Sequence, residues 1–284
     1  MEFLRPTTWG DALAVKAERP AAVPVAGGTD VMVEINLDRR RPEALLDLTR
    51  IPDLAGWAPE DGWLRIGAGV TYTRVIEELG DRLPGLAQAS RTVGSPQIRN
   101  RGTVAGNLGT ASPAGDALPP LLAAGAEVVL ASARGERRLP LAEFCLGPKR
   151  SALRPDELIA AVRTPAANGP QVFAKVGTRG AMVIAVVSFA LDLDVDRGRA
   201  GTAIGSAGPT PLRAPAAERF LEGVLADGRR LSDSAVRRFG ELVAEAASPI
   251  DDVRGTAEYR RHALAVLARR ALSQAWAGAR GRRR

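Results

Sequence analysis

The sequence is poor in the residues that most often carry metal or nucleophilic chemistry. Its 284 residues include one cysteine, Cys145, and one histidine, His262. A single cysteine excludes an internal disulfide and an iron–sulfur cluster held by this chain alone. A single histidine without a histidine partner argues against a metal site and against a histidine-based catalytic triad. We therefore predict no metal ligand and no catalytic residue in this chain, and we interpret Cys145 as a small buried residue.

Long apolar segments are also missing. The longest apolar stretch, around residues 182–191, falls well short of the roughly 18 residues that a membrane helix needs. Residues 1–6 lack the basic segment leading into an apolar stretch that is typical of a signal peptide. These absences predict a cytoplasmic protein without a membrane span.

Aromatic residues make up only 4% of the chain, although its net charge is +7. Such a charge is compatible with nucleic-acid binding, but so few aromatic residues do not favour a base-stacking surface, and we find no helix-turn-helix or zinc-finger pattern. The excess charge is concentrated in arginine clusters at 39–41, 269–270 and 280–284, and we interpret residues 282–284 as a solvated chain end. We predict no nucleic-acid partner and keep a basic nucleic-acid-binding protein as the non-enzymatic alternative.

Two glycine-rich segments about 75 residues apart are the most informative feature present. Residues 25–30 read VAGGTD, and residues 99–108 read RNRGTVAGNL. Glycine permits positive φ and close approach of a ligand, consecutive backbone amides form an anion-binding concavity, and a threonine hydroxyl adds a donor. The first segment by itself is equally compatible with an ordinary strand-to-helix turn in which Thr29 is the N-cap. Together with the SPAGD sequence at 112–116, the two segments indicate a dinucleotide site.

A third glycine pair, Gly67 and Gly69, does not carry a dinucleotide-binding fingerprint. It follows a predicted strand at 63–66 and precedes a predicted helix at 72–79, for which Thr71 is a suitable N-cap. A Rossmann motif would place its third glycine where Tyr72 stands. We therefore reject a Rossmann site here, and the sequence contains no P-loop either.

The two glycine-rich segments resemble those of the FAD-binding subunit of the molybdenum hydroxylases, the family of xanthine dehydrogenase and carbon monoxide dehydrogenase. That family has an AGGTD-like loop and a segment of the form RNxGTVGGN…SPxxD. The resemblance extends over nearly the whole chain and is most specific at 94–120. Residues 175–185 resemble a K…R…IA segment of the family, and residues 211–214 and 251–260 resemble its C-terminal domain. One departure is Ala105, which replaces the first glycine of TVGGN and disfavours the positive φ that glycine permits.

The resemblance implies which residues contact FAD. The first segment would contact the adenine side and the pyrophosphate, and the second would complete the pyrophosphate site. Asp116 would accept hydrogen bonds from ribityl hydroxyls, Lys175 would lie beside the flavin, and Val93 and Leu153 would touch its rings. The full predicted set is Val25, Ala26, Gly27, Gly28, Thr29, Asp30, Val31, Val93, Thr103, Val104, Ala105, Gly106, Asn107, Asp116, Leu153 and Lys175. Structural alternatives stay open: Asp116 as the N-cap of a helix near residue 117, Lys175 as a surface residue on an edge strand, and Val93 and Leu153 as core residues.

The function implied by the resemblance is electron transfer within a larger enzyme. The chain would bind FAD non-covalently, since no histidine lies near either glycine segment for a covalent link. Electrons would come from [2Fe–2S] clusters in a small subunit, fed by a large subunit with the molybdenum cofactor, in a heterotrimer or a dimer of heterotrimers. A free-standing FAD-dependent oxidoreductase of the same binding fold is the alternative. The motifs of this chain identify neither the substrate nor the final electron acceptor.

The predicted architecture is α+β. The resemblance implies a FAD-binding domain at 1–167, of the PCMH/vanillyl-alcohol-oxidase type with subdomains at 1–55 and 56–167, followed by a carbon monoxide dehydrogenase flavoprotein C-terminal domain at 168–284. The turn residues at 165–170 mark the linker. Strands are predicted at 172–176, 183–193 and 200–207, then a helix capped by Ser232 and a last helix at about 256–277. Helical spacing predicts that Tyr259 and Ala263 of that last helix face inward.

Overall fold

The computed structural model describes residues 1–227 and 231–282 of the chain. Helices and β-sheets are both present throughout this part, which confirms the predicted mixture of α and β structure. Arg283 and Arg284, at the end of the arginine-rich tail, lie outside the described residues. Within the described ranges, none of the helices combines the length and apolar composition that crossing a membrane demands.

The N-terminal part is a three-stranded parallel sheet with the order β1-β3-β2. All four residues of its central strand are buried, as is usual for parallel sheets. In sheets of this kind, ligands bind beyond the carboxyl ends of the strands, which is where the first glycine segment follows β2. The elements are β1 (Glu2–Leu4), α1 (Trp9–Glu18), β2 (Val23–Val25), α2 (Val31–Asn36) and β3 (Ala44–Asp47).

The middle of the chain forms a five-stranded antiparallel sheet with the order β4-β5-β10-β6-β7. Five short helices stand between β5 and β6, and a small hairpin precedes β10. The strands are β4 (Trp57–Glu60), β5 (Trp63–Gly67), β6 (Glu127–Ser132), β7 (Gly135–Pro140), β8 (Cys145–Gly147), β9 (Arg150–Ser151) and β10 (Leu158–Pro165). The helices are α3 (Tyr72–Glu78), α4 (Pro84–Thr92), α5 (Pro96–Arg101), α6 (Val104–Thr110), α7 (Leu118–Ala123) and α8 (Leu141–Phe144).

The central strand β10 carries a buried charge that is paired on both sides. The Arg163 guanidinium lies 3.0 Å from Glu60 on β4 and 2.8 Å from Glu127 on β6. A buried arginine is tolerated when carboxylates pair with its charge, as Glu60 and Glu127 do here. This pairing ties the edge of the sheet to its centre.

The C-terminal part is a three-stranded antiparallel sheet with the order β11-β12-β13, backed by helices. Ser232 caps α10 as predicted, its hydroxyl accepting a hydrogen bond from the Ala235 N–H. The elements are β11 (Gln171–Val176), β12 (Val187–Asp194), β13 (Arg199–Gly205), α9 (Pro215–Ala226), α10 (Asp233–Glu245) and α11 (Ala257–Arg282).

The predicted inward orientation of Tyr259 is wrong. Tyr259 is 48% exposed, whereas Ala263, one turn later, is buried as predicted. The neighbouring Arg260 is only 3% exposed, because its guanidinium donates hydrogen bonds to backbone carbonyl groups under the first turn of α11. Arg260 is therefore the buried residue where the hydrophobic spacing predicted Tyr259.

A seam between α4 and β11 joins the middle of the chain to the C-terminal sheet. The Gln88 side chain donates to the Gln171 carbonyl oxygen (3.4 Å) and accepts from the Phe173 N–H (2.9 Å). The amide thus pairs with the free edge of β11 as a neighbouring strand would. Two residues further along, Lys175 Nζ donates to the Thr92 carbonyl oxygen at the end of α4 (3.0 Å). The seam therefore determines where Lys175 lies.

Truncating the aromatic pair in the C-terminal core should destabilise the protein strongly. Phe189 and Phe239 are fully buried and meet edge to face, with centroids 6.2 Å apart. We expect Phe239→Ala to lower the free energy of unfolding by about 3–5 kcal/mol, measured by urea denaturation. The control Phe3→Ala, at a residue that is 44% exposed, should change it by roughly 0.5 kcal/mol or less. Equal effects of the two substitutions would contradict this description of the core.

Candidate cofactor-binding site

The first glycine segment connects the end of β2 to the start of α2 and touches the second segment directly. A Cβ atom at Gly27 would overlap the Arg101 carbonyl group and lie 2.8 Å from Gly102 Cα. Only glycine allows two backbones to pass this closely. Gly28 has φ +76°, a conformation that also favours glycine. The structure therefore brings together the two segments that the sequence singles out.

The other residues of the first segment lie at the ends of the same two elements. Val25 ends β2, Val31 begins α2, and Asp30 is the N-cap residue without a side-chain capping bond. The alternative in which Thr29 is the N-cap is therefore wrong. Asp30 Oδ2 instead accepts a hydrogen bond from Thr110 Oγ1 (2.9 Å) at the end of α6, which is a second link between the two segments.

The second segment is more helical than its glycines suggest. It consists of the end of α5, a break at Gly102, and α6, which begins at Val104. Thr103 is the N-cap of α6, and its hydroxyl oxygen accepts from the Gly106 N–H (2.9 Å). Because a hydroxyl is both acceptor and donor, this capping leaves the Thr103 hydrogen able to donate to a ligand.

Ala105 fits this backbone without strain. It is the second residue of α6 and is buried, so it has a helical conformation rather than the positive φ that alanine disfavours. The departure from the family pattern at this position therefore leaves the local shape intact. Gly106 is the more constrained neighbour, since a Cβ there would lie 3.0 Å from Thr103 Oγ1.

Asn107 connects α6 to the segment that carries Asp116. Its Oδ1 accepts a hydrogen bond from the Ala117 N–H (3.3 Å), and a Cβ at Gly115 would lie 2.7 Å from the same oxygen. Because Asn107 Oδ1 accepts a hydrogen bond from the backbone, it positions the loop that leads into α7. The amide was predicted as a ligand contact, and this structural use is one that the sequence did not reveal.

Asp116 and Lys175 form a buried ion pair at the end of the α4–β11 seam. Asp116 Oδ2 lies 2.6 Å from Lys175 Nζ, and each side chain is only 9% exposed. Lys175 also donates to the carbonyl oxygens of Thr92 (3.0 Å) and Val183 (3.1 Å), which uses all three of its hydrogens. β11 is an edge strand, but the interpretation of Lys175 as a surface residue is wrong because the C-terminal end of α4 covers it.

Asp116 keeps one oxygen free for a ligand. Its Oδ1 is buried without a hydrogen-bond partner, whereas Oδ2 has Lys175 and, at 3.3 Å, the Thr92 hydroxyl. The N-cap alternative for Asp116 is wrong, since the N-cap of α7 is Ala117 and no side chain caps it. Burial raises the pKa of the Asp116 carboxyl above its ordinary value, although the Lys175 ammonium and the Thr92 hydroxyl act in the opposite direction. A buried acceptor without a partner is costly, which makes this oxygen a natural acceptor for a ligand.

Tyr72 is a residue of this region that the sequence did not single out. It is fully buried, its ring faces Gly102 and its N–H donates to the Gly102 carbonyl oxygen (3.0 Å). Burial, aided by the Asp116 and Asp30 carboxylates, raises the pKa of its phenol. Its position at the predicted start of α3 gave no local sign of this contact, because the contact joins residues 30 positions apart.

The two apolar residues predicted to touch the cofactor rings lie at the edge of the core. Val93 directly follows α4, and Leu153 follows β9. Both are half-buried and pack against the larger hydrophobic cluster. Part of each side chain is therefore buried in the core, and the exposed part can contact a ligand.

Comparisons with known proteins agree with this arrangement. Residues 1–167 match the family described as the FAD binding domain in molybdopterin dehydrogenase, and residues 173–275 match the CO dehydrogenase flavoprotein C-terminal domain. The xanthine dehydrogenase FAD-binding subunit of Escherichia coli O157:H7 is 31% identical over 99% of this chain and 97% of that protein. The carbon monoxide dehydrogenase medium chain of Hydrogenophaga pseudoflava is 30% identical over 97% of each.

The fold comparison gives the same result. A solved structure of carbon monoxide dehydrogenase from Hydrogenophaga pseudoflava, which lacks the Mo-pyranopterin moiety of its molybdenum cofactor, matches with a TM-score of 0.90. The match covers 98% of both chains at 30% sequence identity. The predicted fold class, a FAD-binding domain followed by a flavoprotein C-terminal domain, is therefore confirmed. This chain belongs to the FAD-binding subunits of the molybdenum hydroxylase family, the oxidoreductase family of xanthine dehydrogenase and carbon monoxide dehydrogenase, and FAD is its cofactor.

Proposed function

We propose that this chain is the electron-transfer subunit of a multi-subunit molybdenum hydroxylase. It holds FAD non-covalently, takes electrons from [2Fe–2S] clusters of a small subunit and passes them to an external acceptor. A large subunit with the molybdenum cofactor oxidises the substrate and supplies those electrons. The proposal is carried by the backbone contact of Gly27 with Arg101 and Gly102, together with the buried acceptor oxygen that Asp116 keeps free.

The two joined segments provide donors for a pyrophosphate. Residues 25–31 lie against Arg101 and Gly102 through the Gly27 contact, and residues 103–107 follow directly. Backbone amides and the Thr103 hydroxyl suit an anionic group. In our proposal, these two segments bind the adenine side and the pyrophosphate of FAD.

In our proposal, Asp116 binds the flavin end of FAD and Lys175 stabilises the reduced flavin. Asp116 Oδ1 accepts a hydrogen bond from a hydroxyl of the ribityl chain, which gives this buried oxygen the partner that it lacks. Lys175 has no hydrogen left to donate, so it acts through its charge, which favours the added negative charge of a reduced flavin. Val93 and Leu153 provide apolar contact with the rings.

This chain needs no acid–base pair, because the cofactor and not the protein carries out the redox chemistry. FAD, when bound, supplies the redox chemistry, since it takes up electrons singly and releases them in pairs. The chain's own residues bind, orient and electrostatically adjust the cofactor. The names of relatives as medium chains and FAD-binding subunits support a place in a larger assembly, for which we propose a heterotrimer or a dimer of heterotrimers. The cytoplasmic location stays a prediction.

The composition of the purified enzyme tests this function. The chain should be isolated through an affinity tag from its native host, and FAD, iron and molybdenum should be measured per mole of chain. We expect FAD together with both metals, carried by two additional polypeptides. A chain that carries FAD and oxidises a substrate without either metal would contradict the proposal and favour the free-standing oxidoreductase.

A substitution at the junction of the glycine segments should abolish FAD binding. In Gly27→Ala, the added Cβ would overlap the Arg101 carbonyl group, so the two segments must separate. We expect FAD affinity to fall at least about 100-fold, as measured by fluorescence titration of the apoprotein. Gly10→Ala is the matched control, because a Cβ there has nothing within 4 Å and should leave affinity unchanged. Wild-type affinity in Gly27→Ala would show that the junction does not form the site.

Removing the lysine of the ion pair should make stability depend more on pH. The pKa of Asp116 is already above its ordinary value, and Lys175→Met removes the two largest effects that lower it. A folded-state carboxyl with a raised pKa loses stability as pH rises from about 3.9, its pKa in an unfolded chain, to its folded pKa. The pH range over which the protein loses stability should therefore extend further upward in Lys175→Met than in the wild type.

The matched control for this prediction is the double variant Asp116→Asn, Lys175→Met, which has no carboxyl to titrate. We expect the melting temperature of Lys175→Met to fall relative to the double variant as the pH is raised above about 3.9, the pKa of the carboxyl in an unfolded chain. A difference between the two that does not change with pH would contradict the buried pairing.

A further inference from the structure

Arg260 is a buried cation to which the proposed function gives no role. It lies in the first turn of α11 and is only 3% exposed. Its Nη1 donates to the carbonyl oxygens of Val186 (2.8 Å) and Ser206 (2.6 Å), and its Nη2 donates to Asp252 Oδ1 (2.6 Å). Burying a guanidinium is costly unless acceptors and a carboxylate pair with it. The two carbonyl groups belong to different segments, and each segment leads to one partner of the Asp116–Lys175 ion pair.

The first of these segments joins the ion pair to the start of β12. The Val183 carbonyl oxygen accepts from Lys175 Nζ at 3.1 Å, and Val186 lies three residues further along the chain. The Val186 N–H donates to the carbonyl oxygen of Val176, the residue that follows Lys175 (2.8 Å). Arg260 therefore holds the segment that supplies one of the three acceptors of Lys175.

The second segment leads from the end of β13 to the loop that carries Asp116. Ser206 follows β13, and its N–H donates to the Pro113 carbonyl oxygen (2.9 Å). Pro113 precedes Asp116 by three residues, and a hydrogen bond from the Gly115 N–H to the Ser112 carbonyl oxygen (2.9 Å) closes a tight turn between them. The guanidinium therefore reaches the loop of the aspartate through a single residue.

Ser206 makes these contacts through its backbone and not through its side chain. Its φ is +60°, in the left-handed region that residues other than glycine seldom adopt. Its hydroxyl is buried without a hydrogen-bond partner among the described residues. An unfavourable backbone conformation persists only where the surrounding structure enforces it. The bonds of the Ser206 N–H to Pro113 and of its carbonyl oxygen to Arg260 are the contacts that enforce it here.

The ion pair needs both segments in place because its partners come from separate parts of the chain. Lys175 lies near the end of β11 and Asp116 lies in the loop before α7, yet Nζ and Oδ2 are 2.6 Å apart. A buried pair is favourable only when its geometry is kept. A shift of either segment would therefore move the charge and the free acceptor oxygen that we assign to the flavin end.

We propose that Arg260 and Ser206 are positioning residues of the cofactor site, which hold the two segments that place Lys175 and Asp116 at the flavin. The inference rests on the proposed function, since it needs the ion pair to lie at the flavin end of FAD. Arg260 acts on the cofactor through the ion pair and not by touching it.

A double-mutant cycle tests whether Arg260 acts through the ion pair. In Arg260→Met the two carbonyl oxygens lose their shared donor, and we expect FAD affinity to fall at least about tenfold in fluorescence titration of the apoprotein. The same substitution in the double variant Asp116→Asn, Lys175→Met should lower affinity by less than about threefold, because the groups that it positions are already gone. Arg163→Met is the matched control, since Arg163 is another buried arginine paired with carboxylates. It should lower the melting temperature and leave FAD affinity as in the wild type.

Two substitutions of Ser206 test the positioning without removing a buried charge, and they decide the question if Arg260→Met does not fold. Ser206→Gly keeps the N–H and suits φ +60°, so FAD affinity should stay at the wild-type value. Ser206→Val disfavours this φ because valine is β-branched, so its N–H should move away from Pro113 and affinity should fall at least about fivefold.

The outcomes separate this proposal from the function on which it rests. An Arg260→Met effect that is equally large with and without the ion pair overturns the positioning role. Loss of FAD affinity in Arg163→Met to the same extent does so too, because both substitutions would then act through general stability. Equal FAD affinities of Ser206→Gly and Ser206→Val overturn the role of the Ser206 backbone. If the double variant Asp116→Asn, Lys175→Met itself binds FAD like the wild type, the assignment of the flavin end in the proposed function fails instead.

Discussion

The close approach of Gly27 to the backbone of Arg101 and Gly102 is the constraint on which the candidate site depends. It requires glycine at position 27, it fixes the distance between the parallel sheet and the helices α5 and α6, and it places two sets of backbone amides at one junction. The hydrogen bond between Thr110 and Asp30 secures the same junction from the other end of α6. Without this contact, the chain would have two unrelated turns rather than one binding site.

The flavin end depends on a second, longer-range link. Lys175 belongs to the C-terminal sheet, and Asp116 belongs to the helical segment before β6, yet they form one buried pair. The Gln88 amide aligns β11 along α4 and so brings the lysine to the carboxylate. We propose the division into domains at 1–167 and 168–284, and in that division the ion pair joins the two.

The sequence predicted those structural features that depend on residues close together in the chain. Thr71 and Ser232 cap the helices that their positions indicated, and the strands predicted at 63–66 and 172–176 follow their runs of apolar residues. The two glycine segments stood out because their composition is unusual. Such features need only neighbours in sequence, whereas the contact between the two segments joins residues about 75 positions apart.

The features that the sequence did not reveal depend on distant partners. Asp116 could be interpreted as a cap because its real partner, Lys175, lies 59 residues away. Tyr259 seemed to belong to the core because the spacing did not show that Arg260 would take the buried position. In each case a polar contact outweighed a hydrophobic or helical pattern.

The most direct test of the central claim is the visible absorption spectrum of the purified chain before and after acid precipitation. The account predicts a flavin spectrum with one FAD per chain, all of which passes into the supernatant. A folded chain that is colourless and does not take up added FAD would contradict it, and so would a flavin that stays with the precipitated protein.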